Sequence, residues 1–281
     1  MQRLDGKTAI ITGATSGMGR RTAERFVAEG ARIVACGRRA ELGRALELSL
    51  GTGRCQFIKA DVTREADVKG VIDACVSRWG RIDCLFNNAG ASIADNGIET
   101  IAVEDFDWVI NSVLRSAMLG MKHAAAIMIA QTSGSIINNG SIAGRQAGYS
   151  SSLAYGAAKA AVIHLTRCVA MQLGEHNVRV NSISPGAIPT GIFAKAFGME
   201  ASKADGAAQV VAEAFSKAQP VPRAGSLDDI AEAALFLASD GASFVNGQDL
   251  VVDGGLAGGR LWTAQRQSLK AMREALAKGG S

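Results

Sequence analysis

Short apolar runs alternating with helix-length segments constrain this chain more than any other feature. The runs fall at 8–11, 32–36, 55–60, 82–86, 134–138, 179–183 and 249–252. Between them lie segments suited to helices at 17–29, 40–50, 65–79, 103–130, 153–173 and 227–239. Strands buried on both faces read as continuous apolar runs, and helix-length crossovers let successive strands lie parallel. The pattern predicts an α/β fold: a doubly wound, mostly parallel seven-stranded sheet with helices on both faces.

No Pro/Gly/Ser linker interrupts this rhythm, so residues 1–256 read as one domain. With 281 residues and 48% hydrophobic content, the chain can bury a sizeable core. After 183 the rhythm changes. Pro185-Gly186 opens an irregular stretch, about 187–225, that includes Pro189, Pro220 and Pro222. Its length suggests an insertion that closes over a site, like a lid. Residues 257–281 form an appendix, with a basic helix expected at 261–277.

Charge and cysteine usage exclude several function classes. The 30 basic residues are dispersed among 26 acidic ones, with no basic block interleaved with aromatics, so nucleic acid is not an expected partner. No signal peptide is expected at the start, and the apolar tract 118–129, broken by Lys122 and His123, falls short of a membrane span. Cys36, Cys55, Cys75, Cys84 and Cys168 are scattered and odd in number, which suits a reducing cytoplasm. His123, His164 and His176 lack metal-ligand spacing, so no metal is expected.

The chemistry-bearing residues follow the strands. Directly after the first run comes Thr12-Gly13-Ala14-Thr15-Ser16-Gly17-Met18-Gly19, a turn able to bring backbone amides against a pyrophosphate. Its glycines are spaced more widely than G-x-G-x-x-G. Asn87-Asn88-Ala89-Gly90 follows the fourth run on the same edge of the sheet, and its two asparagines can lock the turn and line the cleft. Asp61 either accepts from an adenine amino group or caps the turn before Thr63. At the end of the second run stands Gly37-Arg38-Arg39, where a carboxylate would select NAD. Arg38 offers a planar fork to a 2′-phosphate, which favours NADP(H) with NAD(H) as the alternative. Ser16 brings no second cation to the turn, and Arg38 could instead stack on adenine. Tyr155 and Lys159, four apart, share one side of a helix, where an ammonium can favour the phenolate.

In order and spacing, these motifs resemble the short-chain dehydrogenase/reductase family over about residues 5–256. Ser141, Pro185-Gly186 and Val252-Asp253-Gly254-Gly255 belong to the likeness. It implies a Rossmann-type domain, reversible hydride transfer between NAD(P)(H) and an alcohol or carbonyl, and a homodimer or homotetramer. It also implies roles. Tyr155 would be the general acid/base, Lys159 would hold the nicotinamide ribose, and Ser141 would bind the substrate oxygen. The implied cofactor set is Gly13, Thr15, Ser16, Gly17, Met18, Gly19, Arg38, Asp61, Val62, Asn88, Ala89, Gly90, Tyr155, Lys159, Pro185, Gly186, Ile188 and Thr190. Ile188 and Thr190 would meet the carboxamide.

One position departs from the family. An asparagine usually stands where this chain has Val113, within Ser112-Val113-Leu114. Valine cannot hold a polar water, and Asn111 lies about 200° away around a regular helix. The proton route is then rebuilt through Ser112 or a backbone carbonyl, or turnover falls and a cofactor-binding role with weak or lost catalysis remains. Around the pocket, Ile192, Phe193, Phe197 and Met199 favour an apolar cyclic or aromatic secondary alcohol or its ketone, with Gln146 and Tyr149 as polar candidates.

Overall fold

The computed structural model describes residues 2–94, 97–150, 152–190, 212–213, 215–217 and 219–279. The chain enters as β1 (Thr8–Thr12), α1 (Gly17–Ala28), β2 (Arg32–Gly37), α2 (Ala40–Leu50), β3 (Cys55–Lys59), α3 (Glu65–Trp79) and β4 (Cys84–Asn87). It continues through α4 (Val103–Ile110), a π-helical turn (Asn111–Arg115), α5 (Ser116–Gln131), β5 (Gly134–Asn139), α6 (Leu153–Gly174) and β6 (Val178–Pro185). α7 (Leu227–Ala238), β7 (Asp249–Val252) and α8 (Trp262–Gly279) follow.

All seven strands pair in parallel, in the order β3-β2-β1-β4-β5-β6-β7. This is the expected Rossmann-type sheet, with helices on both faces. Alternate strand residues feed two cores. Ile11, Ile33, Ala35 and Phe86 pack with Phe26 of α1 and with Ile230 and Leu235 of α7. Ile10, Val34, Leu85 and Ile136 pack with Ile72 of α3, Met121 of α5 and Leu173 of α6. Burial on both faces explains why the strands read as apolar runs instead of alternating ones.

The chain builds outward from β1 to β3, then crosses back to β4. This reversal opens a crevice at the carboxyl ends of β1 and β4, the place where open α/β sheets bind ligands. The glycine turn and the Asn87–Gly90 segment meet there.

The long helix expected at 103–130 is interrupted by the π turn, whose wider i→i+5 hydrogen bonds admit an extra residue. Val113 lies inside it, in a small cluster with Val109, Ala117, Ala154, Ala158 and Val162. The helical stretch that contains 118–129 runs over 29 residues, Val103–Gln131, longer than the tract read from the sequence. It passes for a membrane span by length and composition alone, as a core helix also does, and its inner side is packed into the protein. Lys122 and His123, within this stretch, both face Glu65 (2.7 and 3.0 Å). Met121, Ala124 and Met128 pack into the core. The appendix helix is present as α8, and Trp262, Leu269, Met272 and Leu276 on it are exposed.

Candidate active site

Asn88 locks the glycine turn. Its Nδ2 donates to the carbonyls of Thr12 (2.9 Å) and Gly13 (3.4 Å), while the Asn88 and Ala89 amides both donate to Thr12 Oγ1 (3.0 Å each). Gly13 holds φ +68°, a left-handed conformation that a side chain strains. A Cβ on Gly19 would stand 2.4 Å from Asn88 Nδ2 and 2.5 Å from the Gly13 carbonyl oxygen, so the helix start abuts the turn. Ser16 stands at the N-cap of α1 with its hydroxyl making no bond to the helix amides, and the first turn of α1 holds no acid. Gly17 and Met18 open that helix, and Thr190 lies across from it, with Cγ2 3.8 Å from where a Gly17 Cβ would stand. These observations fit a cradle for a dinucleotide pyrophosphate.

A second cation does reach the turn, although Ser16 brings none. The Arg39 guanidinium donates to Thr15 Oγ1 (3.1 and 3.2 Å) and to Ser16 Oγ. Arg38 is exposed beside Asp61. The sequence placed only Arg38 at the cofactor. The signal for Arg39 was the same dipeptide, with α2 beginning one residue later. Asp61 Oδ1 accepts from the Thr63 amide (3.0 Å) and hydroxyl (2.8 Å), which is the capping alternative. Burial raises the Asp61 carboxyl, but the two Thr63 hydrogen bonds and the nearby Arg38 and Arg64 outweigh it and hold it below its ordinary value. Val62, the next residue, packs against the second core.

Asn87 turns away from the cleft. Its Nδ2 donates to Asn138 Oδ1 (2.9 Å) and the Ala117 carbonyl (3.3 Å), and Asn138 in turn donates to Thr166 (2.9 Å). This buried chain fastens β4 and β5 to α5 and α6.

The catalytic candidates converge from β5 and α6. Ser141 caps a short 3-10 turn, Ile142–Gly144, accepting from the Ala143 amide (3.1 Å). Ser152, buried, caps α6 by accepting from the Tyr155 amide (3.3 Å), which fixes where that helix starts and where Tyr155 points. The Tyr155 hydroxyl stands near enough to Ser141 for that side chain to favour the phenolate. Lys159 Nζ lies over the Tyr155 ring, 5.4 Å from its centroid, and donates to the backbone carbonyl of Asn139.

Burial dominates the electrostatics of this pair in the protein alone. Burial pushes the Tyr155 phenol up to about 12, against a smaller downward pull from Ser141. Burial also pushes Lys159 down to about 7. Desolvation disfavours both charged forms, so in the protein alone the phenol keeps its proton.

Val113 stands beside this pair. A Cβ on Gly90 would lie 3.5 Å from Val113 Cγ2, 3.9 Å from Lys159 Nζ and 4.0 Å from the Ser112 carbonyl oxygen. The Ser112 hydroxyl is turned to the Val109 carbonyl (3.2 Å), and the Ser112 carbonyl accepts from Ser116 (2.7 Å). Lys159 engages a backbone carbonyl and not Ser112. That carbonyl belongs to Asn139, which sequence reasoning missed because that position bears no motif.

Pro185 ends β6 opposite Val252, the Gly186 amide donates to the Val252 carbonyl (3.0 Å), and the Ile188 side chain sits in the core. Ile188 therefore offers a ligand only its backbone. Tyr149 donates to the Leu256 carbonyl (2.8 Å) and so fastens its own loop, while Gln146 is exposed. Sequence reasoning also missed a strap from the Ser141 turn to β7: Arg145 meets the buried Asp249 at 2.6 Å, and Asp249 also accepts from Ser182 and Ser184. Ile192, Phe193, Phe197 and Met199 lie outside the described residues. Among the described residues no His/Cys/Asp/Glu group could hold a metal.

Comparison with known proteins fits this geometry. A family model described as enoyl-(acyl carrier protein) reductase matches residues 13–257. Momilactone A synthase of Oryza sativa subsp. japonica is 40% identical over 259 residues, covering 91% of this chain and 92% of its own. Secoisolariciresinol dehydrogenase of Forsythia intermedia is 38% identical over 269 residues, with 91% of each chain covered. The crystal structure of levodione reductase superimposes with a TM-score of 0.82 at 33% identity, over 92% of this chain and all (100%) of the other.

Proposed function

Given that this chain belongs to the short-chain dehydrogenase/reductase family of NAD(P)-dependent oxidoreductases, we propose that it moves a hydride reversibly between NADP(H) and an apolar, cyclic or aromatic secondary alcohol or ketone. The observation that carries this reading is the Ser141–Tyr155–Lys159 group beside a nucleotide cradle. Two hydroxyls side by side suit one oxygen atom, which favours C=O over C=C as the reacting bond.

When bound, the nicotinamide supplies or accepts the hydride. The chain's own residues manage the oxygen and its proton. Tyr155, protonated at neutral pH, donates to the carbonyl oxygen in reduction and takes the proton back in oxidation. Ser141 hydrogen-bonds the same oxygen as charge develops there. Lys159 holds the ribose and, when charged, favours the phenolate. Gly13, Ser16, Gly17 and Gly19 cradle the pyrophosphate, and Asn88, Gly90 and Thr190 border the nicotinamide half.

NADP(H) is favoured because two guanidiniums, Arg38 and Arg39, stand where a carboxylate would select NAD(H). The apolar substrate rests on Ile192, Phe193, Phe197 and Met199 in the sequence and on the names of the relatives. Exposed Phe106, Met118, Leu153 and Met171, on the α4–α5 stretch and α6, support a homodimer or homotetramer. The segment 187–225 is proposed to act as a lid. Burial pushes the thiols of Cys36, Cys55, Cys75 and Cys84 up to about 12, and such inert free thiols support a reducing compartment such as the cytoplasm.

Titration of NADPH and NADH fluorescence with purified protein tests the cofactor, followed by a panel of cyclic and aromatic secondary alcohols. Tighter NADPH binding and turnover on that panel are expected. Tighter NADH binding would overturn the phosphate assignment, and turnover confined to charged, acyclic substrates would overturn the apolar pocket.

A further inference from the structure

Val113 removes a polar side chain at the place where Lys159 needs support, yet the Lys159 ammonium has a partner. That partner is the backbone carbonyl at the end of β5, on Asn139. The side chain of the same residue is tied into the cofactor cradle. Asn88 spends its Nδ2 on the Thr12 and Gly13 carbonyls, so it turns Oδ1 toward Asn139. Asn139 answers with its own Nδ2, at 3.3 Å. That orientation leaves Asn139 Oδ1 buried with no donor among the described residues.

A flip of the amide would not relieve this. It would set two carbonyl oxygens against each other and bury the NH2 group in place of the acceptor. A buried acceptor without a donor costs the full desolvation of the oxygen, and few are kept without a reason. No such need exists at Val113, which is packed among Val109, Ala117, Ala154, Ala158 and Val162. Nor does Ser112 serve, since its hydroxyl is committed to its own helix.

We propose that Asn139 is a positioning residue that replaces, from the β5 side, the polar support Val113 cannot give Lys159. Its carbonyl anchors the ammonium, its Nδ2 registers that anchor against the glycine turn through Asn88, and its Oδ1 is the acceptor kept for the polar link beside Lys159. This rests on the cofactor-site reading above.

A double-mutant cycle separates compensation from ordinary structural support. Asn139→Leu removes both amide functions at similar volume, and Asn139→Ser serves if leucine does not fold, as judged by thermal unfolding of the cofactor-free protein. Each is made in the natural chain and in Val113→Asn, and both turnover and NADPH affinity are measured. In the natural chain the Asn139 variant is expected to lose about tenfold in turnover and to bind NADPH more weakly, within the coupling seen between interacting residues. In the Val113→Asn background the loss should shrink to about threefold or less, because the polar support is restored from the helix. Equal losses in both backgrounds, or no loss in either, would overturn the inference while leaving NADPH binding by the unaltered protein intact. Failure of the unaltered protein to bind either nicotinamide cofactor would remove this inference together with the reading it rests on.

Discussion

At the residue scale, the opposed shifts of Tyr155 and Lys159 give a stability signature that needs no substrate. Lys159 titrates near 7 in the folded protein against an ordinary value of 10.5, so between these values the unfolded chain binds more protons. Folding stability from this group therefore rises with pH across that window, and the burial penalty is greatest at and below pH 7. Lys159→Met removes the penalty. The gap in melting temperature between Lys159→Met and the unaltered cofactor-free protein should be widest near pH 7 and close toward pH 10. A gap that does not vary with pH would mean that Lys159 is charged throughout. Arg39 makes a second prediction at this scale. Its charge-assisted hydrogen bonds to a phosphate are worth about 1.5–3 kcal/mol, so Arg39→Ala should lose roughly tenfold or more in NADPH affinity with little change for NADH, by fluorescence titration. The sequence showed Arg38 and Arg39 as neighbours. Which of them turns back onto Thr15 and Ser16 depends on the entry into α2, where Arg39 is the residue before the helix, and on the turn it then faces across the sheet edge, which the sequence does not show.

Elements were more legible than contacts. The strands and helices fall within a few residues of the apolar runs because two-sided burial writes itself directly into composition. The glycine turn, the Asn87–Gly90 segment and the Tyr155–Lys159 pair were readable for a different reason: each is set by local sequence, the turns by their glycines and asparagines and the pair by its i,i+4 spacing. Asn88 acting as the lock was half readable, since only the partnership of β1 with β4 decides which asparagine faces the turn. The π turn at Asn111–Arg115 was not readable, because α-helical and π-helical residues have the same local preferences and tertiary packing against α6 decides between them. The tight contact at Gly19 yields an element-scale prediction. Gly19→Ala forces Asn88 and the glycine turn apart, so it should destabilise the protein by about 1–3 kcal/mol and abolish measurable NADPH binding. Unchanged melting and binding would show that the turn yields freely.

For the whole molecule, the sheet order sets the chemistry by bringing the ends of β1, β4 and β5 and the start of α6 to one edge. The outer surface carries exposed Phe106, Met118, Leu153 and Met171, together with the apolar side of α8. An assembly larger than a monomer is expected in light scattering at micromolar concentration, and a monomer there would contradict the proposed pairing. The account as a whole depends on Tyr155 moving the substrate proton. The most direct measurement is NADPH formation by the unaltered protein and by Tyr155→Phe on an alcohol that the unaltered protein oxidises, alongside NADPH affinity for both. General acid–base catalysis of this kind contributes about 10²- to 10⁴-fold, so Tyr155→Phe should lose that much turnover while its NADPH affinity stays within about threefold. Turnover by Tyr155→Phe close to that of the unaltered protein would contradict the account.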